Sequence, residues 1–122
     1  MADSDEHPSA APGVLKPETI DRHRAITSIR EELEAVDLYD QRVDAAKDDE
    51  LRALLAHNRD EEKEHAMMLL EWLRRKNPVM DEMMRTYLFV EGDITAAEEA
   101  ATDGQSSSGN AAGSLGIGSL KG

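Results

Sequence analysis

Apolar side chains recur every three or four residues along two neighbouring stretches of this chain, which is the spacing of one face of an α-helix. The first stripe consists of Ala25, Ile29, Glu32, Val36, Tyr39, Val43 and Ala46. The second consists of Leu51, Leu55, Asn58, Glu62, His65, Leu69 and Trp72. Glu32, Glu62 and His65 interrupt faces that should be buried, and a buried carboxylate needs a partner or a cation. A Glu on one helix and a Glu-x-x-His pair on the next are half of the ligand set of a carboxylate-bridged dinuclear metal site.

The break between the two stripes is short and predicts a helical hairpin. It consists of residues 47–50, and Asp49 is the predicted N-cap of the second helix. A hairpin that turns here brings Glu32 level with His65, and Glu62 lies one turn away on the same face. Side chains three residues apart on a helix have Cβ atoms roughly 5–6 Å apart, a separation that a shared metal ion can bridge. We therefore expect the three side chains to converge on one face of one hairpin.

The composition excludes several kinds of site and partner. With no Cys in 122 residues, disulfides, iron–sulfur clusters and thiolate zinc sites are excluded. A net charge of −12 disfavours nucleic acid as a partner and attracts metal cations. An acidic beginning and the lack of a long apolar run argue against a signal peptide and a membrane span, so we expect a cytosolic protein with no membrane partner.

The order of these features along the chain predicts five regions. Pro17 suits the first turn of a helix, and Pro78 ends one. We expect a third, shorter helix that begins at Pro78 and ends near Val90, before Gly92. The predicted regions are a disordered leader (1–13), a helical domain (14–91), an acidic helical extension (92–101), a flexible linker (102–113) and an apolar docking peptide (114–122).

Two helices of this length cannot enclose a core by themselves. A second copy of the hairpin, related by a two-fold axis, would cover both stripes and supply two each of Glu32, Glu62 and His65. That is the ligand set of ferritin-like dinuclear bundles, and its four carboxylates and two imidazoles suit iron or manganese. The predicted fold class is therefore all-α, a ferritin-like helical hairpin that completes a four-helix bundle by dimerisation.

Two interpretations stay open for each of several other residues. Glu31 and Glu34 are either solvated acids on the helix surface or acids that attract cations near the entrance of the site. Tyr39 lies on the same face as Glu32 and either packs in the core or reaches the pocket. The final nine residues are either plain disorder or a docking peptide with Leu115 and Ile117 among its anchors.

Four segments of the chain strongly resemble the encapsulated ferritins. They are residues 17–25 (PETIDRHRA), 31–37 (EELEAVD), 57–65 (HNRDEEKEH) and 70–75 (LEWLRR). Residues 115–121 (LGIGSLK) resemble the cargo-loading peptide that directs proteins into encapsulin nanocompartments. One departure is Leu38, where similar proteins often carry a tryptophan.

The resemblance implies a ferroxidase that oxidises Fe(II) with O₂ inside an encapsulin shell, which holds the mineral. It assigns Glu32, Glu62 and His65 of two chains to a centre with two irons per pair of chains. It assigns Glu31 and Glu34 to entrance or secondary sites, where other divalent cations would also bind. It further implies an annular decamer built from dimers and a contact between residues 114–122 and the shell protein.

Two other functions stay open at this point. One is a structural or metal-buffering cargo protein without redox turnover, which would bind metal but would not speed the consumption of O₂. The other is a different dinuclear enzyme that uses O₂, for which the sequence offers no obvious apolar substrate pocket.

Overall fold

The computed structural model describes residues 13–108, which contain four α-helices and no strand. The helices are α1 (Pro17–Ala45), α2 (Asp49–Lys76), α3 (Pro78–Tyr87) and α4 (Ile94–Ser108). The predicted all-α class is confirmed. None of these helices is both long enough and apolar enough to cross a membrane. The predicted leader, apart from Gly13, and the predicted docking peptide lie outside the described residues.

The N-terminal ends of α2 and α3 are capped by side chains. Asp48 Oδ2 accepts a hydrogen bond from the backbone N–H of Leu51 at 2.8 Å, so the cap of α2 lies one residue before the predicted Asp49. A capping side chain reaches the N–H two or three residues further on, and Asp48 is correctly spaced for Leu51. Asn77 caps α3 in the same way, because its Oδ1 accepts from Met80 N at 3.0 Å.

Polar contacts between α1 and α2 show that the two helices form the predicted antiparallel hairpin. At the turn, Arg52 Nη2 donates to the carbonyl oxygen of Ala46 at 2.6 Å. Further from the turn, Arg59 Nη1 lies 2.9 Å from Asp40 Oδ1. These contacts fix the register in which the two stripes face each other.

A single chain covers its apolar stripes only in part. Of the stripe residues only Ala25 is buried and most of the others are half-buried, while Ala66 and Leu73, which lie beside the second stripe, are buried. Several large apolar side chains on α1 and α2 are exposed, namely Ile26, Leu33, Leu38, Leu51, Leu54, Met67 and Met68. This is the incomplete core expected of a hairpin of two helices.

Of the described residues, 74–108 belong to a second unit, in which α3 and α4 contact each other. Asp81 anchors the start of α3, because Arg85 Nε lies 3.1 Å from its Oδ2 and Arg74 pairs with its Oδ1. Helix α3 ends at Tyr87, three residues before the predicted end at Val90. The chain leaves the helix at Leu88, whose backbone is extended with φ −91° and ψ 142°, and Phe89 then adopts a left-handed conformation with φ 61°.

Helix α4 corrects the predicted boundary between the acidic extension and the linker. It was expected to end at Ala101, but it continues to Ser108, so residues 102–108 of the predicted linker are helical. Asp93 Oδ2 caps its first turn by accepting from Ala96 N at 3.2 Å and from Thr95 Oγ1 at 2.6 Å. Once a first turn is formed, each further residue adds a hydrogen bond, which carries the helix into a segment of poor helix formers.

Candidate metal centre

The two helices of the hairpin place three ligand-type side chains at one point. Glu32 comes from the middle of α1, while Glu62 and His65 lie one turn apart on α2 and so share a face. Each offers one ligand atom, and these atoms all lie within 4.8 Å of one another. His65 Nδ1 is 3.2 Å from Glu62 Oε1 and 3.5 Å from Glu32 Oε1. The structure therefore brings together the three residues that the stripes single out.

The pKa values of the two carboxylates shift in opposite directions. A hydrogen bond with Glu62 raises the pKa of Glu32, and burial and the negative charge of Glu62 add to this effect, while His65 opposes it. The same hydrogen bond lowers the pKa of Glu62, with His65 adding to the effect and burial opposing it. The two opposite directions describe one coupled pair, in which Glu32 holds a proton more readily than Glu62 does.

The imidazole of His65 responds to both neighbours. Its hydrogen bond with Glu62 raises its pKa above the ordinary value, and the charge and hydrogen bond of Glu32 add to this, whereas burial lowers it. Carboxylates and imidazoles bind metal ions in their deprotonated forms, so the binding of a cation here would be coupled to the release of any protons that they carry.

The donor set fits a divalent first-row metal ion. Two carboxylate oxygens and one imidazole nitrogen are typical ligands of iron and manganese, and no sulfur donor favours a softer metal. Ligand atoms lie about 2.0–2.2 Å from such an ion, so opposite donors stand up to about 4.4 Å apart. The three ligand atoms lie within 4.8 Å of one another, and His65 Nδ1 is only 3.2 Å and 3.5 Å from the two carboxylate oxygens, so the spacing is close to what one ion requires.

One chain supplies only part of a coordination sphere. Three donors leave further positions of a six-coordinate ion for other ligands. The side chain of His65 is 43% exposed, which shows that the hairpin does not close over the group on this side. The centre, as one chain builds it, is half of the predicted dinuclear ligand set.

The remaining predicted residues stand apart from this group. Glu31 and Glu34 are exposed on α1 and are not among the three that converge. Tyr39 is half-buried, and the guanidinium carbon of Arg42 lies 5.3 Å from the centre of its ring. This cation–π contact restricts the phenol ring on the face that carries Glu32.

Sequence patterns did not reveal the ion pair between Asp40 and Arg59, which links the ligand-bearing helices. Both residues lie outside the apolar stripes, where charged side chains are usually solvated. The signal that could have found the pair was the hairpin register, which places the two positions nearly level on facing helices.

The chain is similar to several known proteins. Residues 9–91 match the family described as EncFtn-like. The chain is 66% identical over 117 residues to the "Encapsulated ferritin-like protein" of Rhodospirillum rubrum, covering 89% of this chain and 84% of that protein. It is 54% identical over 94 residues to a "Ferritin-like protein" of Thermotoga maritima, covering 77% and 80%. The crystal structure of protein ne0167 from Nitrosomonas europaea is similar at a TM-score of 0.69 and 60% identity, covering 73% of this chain and 98% of that one.

Proposed function

The chain belongs to the EncFtn-like family, and on that premise we propose that it is a ferroxidase, which oxidises Fe(II) to Fe(III) with O₂ at a dinuclear site shared between two chains. The observation that carries the proposal is the convergence of Glu32, Glu62 and His65 within 4.8 Å. If these three positions served only to stabilise the hairpin, apolar side chains would do so at least as well as two carboxylates and an imidazole. Their presence therefore favours a functional role.

The pairing of two chains follows from what one chain lacks. Its ligand group is open on the side of His65, and exposed apolar side chains such as Leu38 and Leu54 surround the hairpin. A second hairpin related by a two-fold axis would cover apolar surface and double the ligand set to four carboxylates and two imidazoles. That set binds two metal ions in ferritin-like bundles.

The residues of the site have distinct tasks in this reaction. The carboxylates of Glu32 and Glu62 would hold and bridge two Fe(II) ions, and neutral His65 would complete each ion's protein ligands. Oxygen-rich ligation stabilises Fe(III), so it favours the loss of one electron from each iron. The two electrons reduce one O₂ to hydrogen peroxide with the uptake of two protons. Glu31 and Glu34 would gather Fe(II) outside the centre, and Tyr39, held by Arg42, would line it.

A comparison of adjacent glutamates tests the activity. Glu62→Gln removes a ligand charge with almost no change in shape, whereas Glu61→Gln changes an exposed neighbour in the same way. We expect Glu62→Gln to slow Fe(II)-dependent O₂ consumption by at least about tenfold and Glu61→Gln to leave it near the wild-type rate. O₂ consumption that is equally fast in both variants would contradict the proposal.

The same experiment separates the ferroxidase from a metal-buffering cargo protein. A buffer would bind Fe(II) through the three ligands without raising O₂ consumption above that of free Fe(II). Fe(II) binding measured anaerobically, together with O₂ consumption measured in an oxygen electrode, distinguishes binding from turnover.

We further propose that residues 114–122 attach the protein to the inner wall of an encapsulin shell. The relative from Rhodospirillum rubrum is named as encapsulated, and residues 115–121 resemble a cargo-loading peptide. Deleting residues 114–122 should abolish co-purification with a co-expressed shell and leave O₂ consumption unchanged. A truncated protein that still co-purifies inside shells would contradict this role.

A further inference from the structure

The connection between α3 and α4 carries exposed apolar side chains, here named the α3–α4 patch. Phe89 is fully exposed, and Leu88, Val90 and Ile94 are 45–69% exposed. Phe89 also has the left-handed backbone conformation with φ 61°, which strains a residue with a bulky side chain. Strained residues cluster at ligand clamps and switch regions. A phenyl ring that is both strained and fully exposed therefore indicates a surface that receives a partner.

The proposed pairing of two hairpins assigns no partner to this patch. That pairing uses the apolar faces of α1 and α2, and α2 ends at Lys76. The patch belongs to the second unit of the chain, at residues 88–94. Its occupant has to be found among other apolar segments.

The end of the same chain supplies an apolar segment within reach. Helix α4 begins at Ile94 and ends at Ser108, so it is about 21 Å long at 1.5 Å per residue. Leu120 lies twelve residues after Ser108, and an extended chain spans about 3.3 Å per residue, or about 40 Å in all. The chain is therefore long enough to turn and return along α4 to the patch. Gly109 directly follows α4, and glycine is the residue type that most often turns a chain away from the end of a helix.

The charges on either side favour the same placement. Lys121 is the only basic residue after α3, and it directly follows Leu120. Residues 91–103 contain five acidic residues and no basic one. Two of the five, Glu91 and Asp93, are exposed and lie within the α3–α4 connection. With Leu120 on the patch, Lys121 lies beside carboxylates of opposite charge.

We propose that residues 115–120 pack on the α3–α4 patch of their own chain in the free protein, with Leu120 against Phe89, and that an encapsulin shell competes for the same side chains. The contact covers two apolar surfaces while no shell is present, which limits association between free copies. The release step rests on the proposed docking of residues 114–122 to a shell, whereas the contact within the chain does not.

Disulfide formation tests the contact directly, because the chain has no cysteine of its own. The double variant Val90→Cys/Ser119→Cys keeps Phe89 and Leu120 and places one thiol next to each. The matched control is Thr102→Cys/Ser119→Cys, since Thr102 is exposed on α4 and closer along the chain to residue 119. A segment without a preferred position closes the shorter loop more readily. The proposal predicts the reverse, a disulfide that forms at least about fivefold faster in the Val90 variant of the full-length protein.

Two further samples identify what holds the segment. Adding Phe89→Ser to the Val90→Cys/Ser119→Cys variant should lower its rate to that of the Thr102 control. A mixture of the single variants Val90→Cys and Ser119→Cys can join only different chains, so it measures contacts between copies. The contact is overturned if the ratio of the two double-variant rates is smaller than predicted, or if the mixture forms disulfides as fast as the Val90 double variant.

Release by the shell has its own readout. Oxidised and reduced Val90→Cys/Ser119→Cys protein are each mixed with a disassembled encapsulin shell, which is then reassembled. The oxidised protein should enter shells at least about tenfold less than the reduced protein, because its segment cannot leave the patch. Equal loading of the two forms would overturn the release step. If the unmodified protein does not enter shells either, the docking proposal itself fails, so the two failures are distinguishable.

Discussion

Replacing Ala66 by leucine should destabilise the hairpin and weaken metal binding together. Ala66 is fully buried on α2, directly after His65, so its methyl group has no surface open to solvent. Leucine adds three carbon atoms at this point. Added carbon atoms in a packed interior cost about 1–3 kcal/mol because neighbouring side chains and backbone must move. Because the three added carbons have no exposed surface to move into, we expect the free energy of unfolding to fall by about 2–3 kcal/mol.

The consequence for the site follows from the same displacement. Widening the packing beside His65 separates its imidazole from Glu32 on α1, which now lies at 3.5 Å. For a domain of this size, a loss of about 2 kcal/mol lowers the midpoint of thermal unfolding by roughly 8–16 °C. We expect the affinity for Co(II), used as a spectroscopic stand-in for Fe(II), to fall in the same variant.

The matched control is Ala53→Leu, which makes the same change at an exposed position of the same helix. Leucine and alanine are both good helix formers, so this variant should unfold within about 0.5 kcal/mol of the wild type. Thermal unfolding followed by circular dichroism, at one protein concentration and without metal, compares the two. Equal midpoints for Ala66→Leu and Ala53→Leu would refute the packing argument.

Three further predictions address the hairpin and its neighbouring unit. Reversing the charge of Arg59 or of Asp40 alone should weaken Co(II) binding, whereas reversing both together should restore it. If the double variant loses as much Co(II) affinity as the two single variants combined, the ion pair does not hold the register of the two helices. Asp48→Ala should lower the free energy of unfolding by about 1 kcal/mol through loss of the cap of α2, and an unchanged urea midpoint would contradict this assignment. Asp81→Asn should lower the midpoint of thermal unfolding at neutral pH. The hydrogen bond of Asp81 with Arg85, followed by the one with Arg74, lowers the pKa of Asp81 below its ordinary 3.8. The stabilisation by Asp81 is present above that value and disappears as the pH falls through the lower folded-state pKa, so the two proteins should converge in acid; a difference that persists there would refute the account.

The hairpin and its three convergent side chains could be predicted from the sequence because periodicity determines both. A helical face is read directly from the spacing of apolar residues, and a break of only a few residues allows one antiparallel register. Glu32 and His65 therefore had to lie near each other once both helices formed. Glu32, Glu62 and His65 indicated a site because nearly all other positions of the two stripes are apolar.

Helix ends were less predictable because neighbouring residues compete for the same role. Asp48 and Asp49 are chemically alike, and only the backbone turn decides that Asp48 is the cap. Helix α3 ends where Leu88 becomes extended and Phe89 adopts a left-handed conformation, which phenylalanine rarely does and no sequence pattern predicts. Helix α4 passes the predicted start of the linker because a well-capped first turn outweighs poor propensity further along.

The measurement that tests the central claim most directly is native mass spectrometry of the full-length protein titrated anaerobically with Fe(II). The account predicts two irons per pair of chains, bound to the dimer or to multiples of it. Glu62→Gln should lose this specific uptake, while Glu61→Gln should retain it. Iron bound by monomers as readily as by dimers, or equal uptake by the two variants, would contradict a dinuclear site shared between chains.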